Sequence, residues 1–352
     1  MANRKEIESL LVCNSNMFIP TVLTEVLSHP QLLYLVISGT RNIIQFFSFL
    51  NLPNVSIIDY CDMGEGLDWL KKKRQLLALV NQFEIAQLVF FHTEFGGIAN
   101  WLIKRLSHSS KVSIKYCKIY DKMPLPPHKS FLKVLKVKIK ERLYWNMKVD
   151  VLDRGRPIPS LPDSFFKDVH AVEIKMPVDG KLISSIISER LLDNNIKSRY
   201  VLLTGTVVSE KLCPADVYER LINRVIDILG PNNTVSKCHP RFRDMYGMEK
   251  KLRQIPSFIP GNVLIDNYYC YVGFESTLLV EAAVAGKRAI SLINLLPVSD
   301  NDKKLWIDFF DSRLMGKGKI MFPRTIEEFK TIFNLDNDDN RYNSEKDTSD
   351  TD

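Results

Sequence analysis

Apolar residues along the chain fall into short near-continuous runs, and each run is followed by a stretch in which they recur every three or four positions. Ile7–Cys13, Leu32–Ile37, Val55–Ile58, Leu88–Phe91 and Val112–Ile119 are of the first kind and predict strands. Between them Pro20–Leu27, Asn42–Leu50, Leu67–Phe83 and Ile98–Leu106 have helical spacing. Strands that are apolar on both faces and alternate with helices predict a parallel sheet covered on both sides.

The pattern breaks at Pro124, Pro126 and Pro127. It resumes with a helix over Phe131 to Met147, in which Phe131, Leu135, Ile139 and Leu143 form a stripe at i+4 spacing. Lys129, Lys133, Lys136, Lys138, Lys140, Arg142 and Lys148 are distributed around it. This predicts a basic helix that packs on its domain through that stripe; with Tyr144 and Trp145, the same composition also suits contact with a membrane surface or an anionic acceptor. Arg154 to Pro162 carries three prolines within six residues and reads as a linker.

A second alternation follows: strand Ala171–Lys175, helix Leu182–Leu192, strand Tyr200–Leu203, helix Val217–Leu229, strand Thr234–Cys238, strand Tyr268–Val272, helix Leu278–Ala285 and strand Arg288–Ile293. The fold class expected is therefore α/β, with two Rossmann-like domains facing a central cleft. Residues 1–150 form an N-terminal, acceptor-side α/β domain that carries the basic helix at 129–148. Residues 151–165 form a linker, 166–334 a C-terminal nucleotide-sugar-binding domain, and 335–352 an acidic disordered tail. Ligands in open α/β sheets bind beyond the carboxyl ends of the strands, so a cleft between two such halves suits a nucleotide sugar.

Composition supports two globular domains and narrows the partners. The chain has 352 residues, 45% hydrophobic and 25% charged, more than one core of ordinary size accommodates. No run of about 18 apolar residues is present, and the N-terminus lacks the long apolar segment of a secretory signal. A cytoplasmic protein is expected. The formal charge of +7 conceals an asymmetry, because the tail from Leu335 holds seven acidic and two basic residues and leaves +12 on the rest. Such a body attracts anions. No helix-turn-helix, zinc or RNP pattern accompanies it, so nucleic acid is not an expected partner. Six scattered cysteines without a CxxC pair read as buried free thiols, and no metal site is expected.

The chemistry concentrates in the second half. Lys237-Cys238-His239-Pro240-Arg241 puts an imidazole and a guanidinium at the end of a strand, with Pro240 disfavouring helix at His239. A histidine so placed can donate a proton or a charged hydrogen bond to a phosphate. Gly273-Phe274-Glu275-Ser276-Thr277 reads as a turn into a helix whose first amides, with Ser276 and Thr277, suit a phosphate or carboxylate. Thr204-Gly205-Thr206 follows the strand Tyr200–Leu203 and can approach a ligand through its backbone. Substrate-binding candidates are therefore Thr204, Gly205, Lys237, Pro240, Arg241, Gly273, Glu275, Ser276 and Thr277. In the first half, Glu94 and Asp121 follow strands and each offers a carboxylate as general base. Glu281, in the helix after Thr277, faces either the cleft or solvent. No GxxxxGK[ST] or GxGxxG follows a strand, against a P-loop ATPase or a dinucleotide dehydrogenase. Asp300-Asn301-Asp302 has DxD spacing but precedes an amphipathic stretch and reads as its cap.

The His239-Pro240 pair, the glycine turn into Ser276-Thr277, the run Ala282-Ala283-Val284-Ala285-Gly286-Lys287 and the two α/β halves together resemble the GT-B bacterial sialyltransferases of lipooligosaccharide and capsule type. The resemblance is clearest from Tyr200 to Asn294. It implies that His239 binds and protonates the departing CMP phosphate and that Ser276 and Thr277 contact the donor's phosphate or carboxylate. The family's acidic-acidic-glycine motif is not reproduced, and the base lies between Asp121 and Glu94. The expected function is inverting, metal-independent transfer of sialic acid or a related nonulosonic acid from a CMP-sugar to a bacterial surface-glycan acceptor, free or lipid-linked, without a cofactor. The expected location is the cytoplasm, with peripheral contact at the inner membrane. Two alternatives are a GT-B transferase using a UDP-sugar or CDP-polyol, and a non-catalytic membrane-associated protein of glycan assembly.

Overall fold

A computed structural model describes residues 5–61, 69–92, 97–109, 111–118, 131–146, 148–153, 157–191, 198–209, 212–239 and 248–333. The chain divides into two compact units, Met1–Ile183 and Ser184–Asp352. Glu94, Asp121, Pro240, Arg241 and the tail 335–352 lie outside the described residues.

The first unit contains β1 (Lys5–Val12), β2 (Tyr34–Ser38), β3 (Val55–Asp59), β4 (Phe83–His92) and β5 (Ser113–Lys118), then a hairpin of β6 (Asp150–Asp153) and β7 (Pro157–Ser160), and finally β8 (Val172–Ile174). Its helices are α1 (Ile19–Ser28), α2 (Arg41–Leu50), α3 (Trp69–Val80), α4 (Ile98–Ser107), α5 (Phe131–Trp145) and α6 (Asp163–Asp168). A wholly parallel sheet runs in the order β3-β2-β1-β4-β5-β8. All of β2 is buried, because helices cover both faces of the sheet and leave no side for polar residues. Asn51 ends α2 in the left-handed conformation with its amide on Phe47 O, a common C-terminal stop.

Three expectations are corrected here. The strand at 171–175, placed by sequence in the second half, is β8 and pairs with β5 in the first sheet. The reason lies just upstream: Phe165 and Phe166 of α6 are buried, with Phe166 4.5 Å from the Tyr116 ring and 5.9 Å from Phe90. That apolar anchor holds the segment to β4 and β5, so the units divide after Ile183 rather than within 151–165. Second, the proline-rich stretch read as a linker is built partly from β7, which pairs antiparallel with β6 (Val151 opposite Pro159). Each strand of a two-stranded ribbon has one unpaired edge, where a missing N–H costs nothing.

Third, α5 docks by a different face from the one its stripe predicted. Leu135, Ile139 and Leu143 are exposed, and the side chain of Phe131 lies outside the described residues. Val134 and Val137 are half-buried, while Glu141 and Trp145 are buried. Glu141 accepts a hydrogen bond from Gly97 N (3.2 Å), and burial pushes its carboxyl above the ordinary range. Gly97 has φ +51° and a Cβ there would run into the Trp145 indole. Lys73 lies over both Trp101 and Trp145, 5.1 and 5.0 Å from the ring centroids, and donates to Tyr144 O (2.7 Å). A polar contact and an aromatic clamp therefore outweigh the aliphatic stripe in choosing the packed side.

The second unit takes α7 (Gly180–Leu191) from Ser184 onward, then β9 (Tyr200–Leu203), α8 (Ala215–Leu229), β10 (Thr234–Lys237), α9 (Met248–Lys251), β11 (Arg253–Ile255), β12 (Cys270–Gly273), α10 (Leu278–Val284), β13 (Arg288–Ser291), α11 (Asp300–Leu314) and β14 (Ile320–Met321). This sheet is also parallel, in the order β11-β10-β9-β12-β13-β14. Its core joins β9 and β12 to Tyr218, Ile222, Val225 and Ile226 of α8. All six cysteines are free, and five are buried. Among the described residues, no helix is long and apolar enough to cross a membrane.

Candidate active site

From β9 the chain proceeds outward to β10 and β11 on one side and then crosses to β12, β13 and β14 on the other. Strand order therefore reverses between β9 and β12. In open α/β sheets the crevice beyond the carboxyl ends at such a reversal is where ligands bind, because the loops on either side diverge there. The segments leaving β9, β10 and β12 at that end are Thr204–Val207, Cys238–His239 and Phe274–Thr277.

Internal hydrogen bonds fix these segments to one another. Thr204 N donates to Lys237 O (3.1 Å) and the Thr204 hydroxyl accepts from His239 N (3.2 Å), so the residue after β9 sets the backbone of the histidine after β10. Thr204 is buried, and its side chain serves that positioning bond. Glu275 is buried as well; its Oε1 accepts from both the amide and the hydroxyl of Thr206 (hydroxyl 3.1 Å), clipping the turn after β12 to the turn after β9. Gly205 is required by this clip, since a Cβ there would fall on the Glu275 carboxylate. Gly273 is similarly enclosed, with a Cβ 2.9 Å from Leu203 Cβ.

The turn after β12 has alternate residues anchored. Phe274 is fully buried, with its ring 5.2 Å from Tyr218 of α8, and its carbonyl accepts from Ser291 Oγ (2.7 Å). With Phe274 directed inward and Glu275 held by Thr206, Ser276 is left half-buried and Thr277 exposed at the start of α10. Ser276 Oγ accepts from Leu278 N (3.3 Å), whereas Thr277, at the N-cap position, makes no side-chain cap. His239 is half-buried at the same end of the sheet, after β10, with β9 between it and β12.

The sequence candidates thus separate into two roles. His239, Ser276 and Thr277 reach the carboxyl end of the sheet with accessible side chains. Thr204, Gly205, Gly273 and Glu275 shape the turns that carry them. Lys237 belongs with the second group: it is buried, donates to Cys238 O (3.1 Å) and Ser257 O (3.5 Å), and desolvation lowers its ammonium to about 8. Thr206 was missed as a contributor; its signal was the hydroxyl following Thr204-Gly205. At the DxD triplet, the cap of α11 is Ser299, whose Oγ accepts from Asp302 N (3.1 Å) and donates to Asp302 Oδ2 (2.6 Å), with Asp300 and Asp302 in the first turn.

The side chain of Glu281, half-buried one turn into α10, makes no hydrogen bond or ion pair with the described residues, and desolvation pushes its carboxyl from 4.5 up to about 7. The folded chain then retains a proton that the unfolded chain releases near 4.5, so this residue's contribution to stability falls as pH rises from about 4.5 to about 7 and stays low above it. Glu281→Gln removes the charge at near-constant shape. The variant is expected to match wild type at pH 4 and to be more stable at pH 8 by on the order of 2 kcal/mol, read as a higher thermal midpoint. Equal midpoints at pH 8 would mean that the carboxylate is solvated.

The sequence matches no family model and no curated protein. Solved structures do resemble it. The 2,6-sialyltransferase of Photobacterium sp. JT-ISH-224, in ternary complex with CMP and lactose, superposes with a TM-score of 0.50 at 12% identity, covering 90% of this chain and 78% of that one. A structure of the wall teichoic acid polymerase TagF gives 0.47 at 12% identity, over 98% and 83% of the two chains. The GT-B domain of a Photobacterium damselae sialyltransferase gives 0.42 at 11% identity, over 90% and 100%. At these identities the likeness is one of fold, and the fold, two parallel six-stranded α/β units, is of the GT-B kind.

Proposed function

We propose that the chain is a GT-B glycosyltransferase that uses a CMP-activated sialic acid or related nonulosonic acid and transfers it, with inversion and without a metal ion, to a surface-glycan acceptor. The observation that carries this reading is that His239 after β10 and Ser276 and Thr277 after β12 flank β9 at the same end of the second sheet, next to its reversal point, on turns locked by Thr204 and by the Thr206–Glu275 clip. A phosphate seated there meets one imidazole, two hydroxyls and a +12 body that attracts anions.

In the proposed reaction an acceptor hydroxyl attacks the anomeric carbon from the face opposite the nucleotide. The bond from that carbon to the phosphate oxygen breaks, and its electron pair leaves with CMP. His239 donates to the departing oxygen, and Ser276 and Thr277 hold the phosphate or the sugar carboxylate. The acceptor proton passes to a carboxylate, Asp121 or Glu94. CMP leaves as a phosphate monoester that gains one further negative charge on the departing oxygen, and donors preorganised at that oxygen stabilise it without a metal. A donor panel assayed in excess EDTA tests this. CMP-sialic acid or a related CMP-sugar is expected to turn over at an undiminished rate; turnover confined to UDP-sugars or CDP-glycerol, or abolished by EDTA, overturns the donor or the metal-independence.

A further inference from the structure

The solvent face of α5 carries more apolar surface than a solvated helix needs. Leu132, Leu135, Ile139 and Leu143 are 76%, 40%, 48% and 70% exposed. At 3.6 residues per turn these four share one narrow stripe, and Val134, Val137, Glu141 and Trp145, which face the first unit, lie on the opposite side. The helix is therefore apolar on two faces, one used in packing and one turned outward. Basic residues border the outward stripe on both flanks: Lys133 and Lys136 on one, Lys138 and Arg142 on the other, all exposed. The sole acidic residue of the helix, Glu141, is buried on the packed side.

We infer that this face of α5 is an interfacial membrane anchor, lying in the headgroup region of an anionic bilayer with the Leu/Ile stripe in the acyl boundary and the flanking cations on lipid phosphates. The chemistry selects the occupant. An aliphatic stripe between two rows of cations is what a helix parallel to an anionic surface requires, whereas an all-basic border offers a second copy of the same helix only like charge. The anchor concerns the first unit alone and stands whether or not the second unit transfers a sugar.

Sedimentation of the full chain with vesicles tests the inference. It should pellet with vesicles containing phosphatidylglycerol and much less with pure phosphatidylcholine, the difference shrinking as salt rises. Leu132→Gln/Leu143→Gln changes only exposed positions; it should keep the wild-type melting curve and lose about tenfold or more of the vesicle partitioning. Lys133→Gln/Lys136→Gln should weaken binding to anionic vesicles, and Lys250→Gln/Lys251→Gln on α9 should leave it unchanged. The anchor is overturned if wild type does not pellet with anionic vesicles, if the leucine variant binds as wild type does, or if the α9 variant loses as much as the α5 variants, which would assign binding to diffuse body charge. Dissociation of a wild-type dimer by the leucine variant, without lipid binding, would equally overturn it and assign the stripe to a protein interface.

Discussion

His239→Ala is expected to lower transfer from a CMP-sugar by about 10²–10⁴-fold in kcat while changing the donor KM little, the range seen when a positioned proton donor is removed. The physical basis is where the charge appears. As the anomeric bond breaks, electron density collects on one phosphate oxygen, and a donor fixed before the reaction stabilises it without reorganisation. Here the fixing is visible in the backbone: Thr204, itself locked to Lys237 O, accepts the His239 amide, so the imidazole springs from a point set by two adjacent strands. Steady-state kinetics over a donor series, with circular dichroism to establish folding, check the result. A folded variant within threefold of wild type would remove His239 from the reaction.

Gly205→Ala is expected to disrupt the paired turns after β9 and β12. A Cβ at this position lands on the Glu275 carboxylate, which is buried and bonded to the amide and hydroxyl of Thr206. Relief requires either a shift of β9's turn or rupture of those bonds, costing about 1–3 kcal/mol for overpacking and about as much again for buried donors left unsatisfied. Glu275→Ala separates the two contributions. Alone it should destabilise by stranding the Thr206 donors, but in its presence Gly205→Ala should cost little, because the obstacle has gone. Thermal melts of the two single variants and the double variant check this, and the non-additivity is the diagnostic. Additive losses would show that the crowding at Gly205 comes from elsewhere.

The sequence made the layers of the fold legible where burial is continuous. Strand β9 has the bounds expected for it, since Tyr200 to Leu203 are all buried and the run ends abruptly at Thr204-Gly205. The edge strands β11 and β14 gave no such signal: Arg253-Gln254-Ile255 and Ile320-Met321 are too short or too polar to stand out, because an edge is half solvated. The orientation of α5 was hidden for a different reason. Glu141 looks like one more surface charge, and its burial depends on a backbone amide 44 positions away. Of the site, the placement of His239, Ser276 and Thr277 followed from spacing and strand ends. The positioning duties of Thr204, Lys237 and Glu275 did not, because each is set by a partner on another strand or loop, as with Glu275 and Thr206, 69 positions apart.

The central claim is that a CMP leaving group sits beyond the carboxyl ends of β9, β10 and β12. A crystal structure of the chain soaked with CMP tests it most directly. The account predicts the nucleotide phosphate within hydrogen-bonding distance of the His239 imidazole and of Ser276 or Thr277, with Glu275 still clipped to Thr206. A nucleotide bound at the other end of the sheet or in the first unit, or a phosphate out of reach of His239, would contradict it.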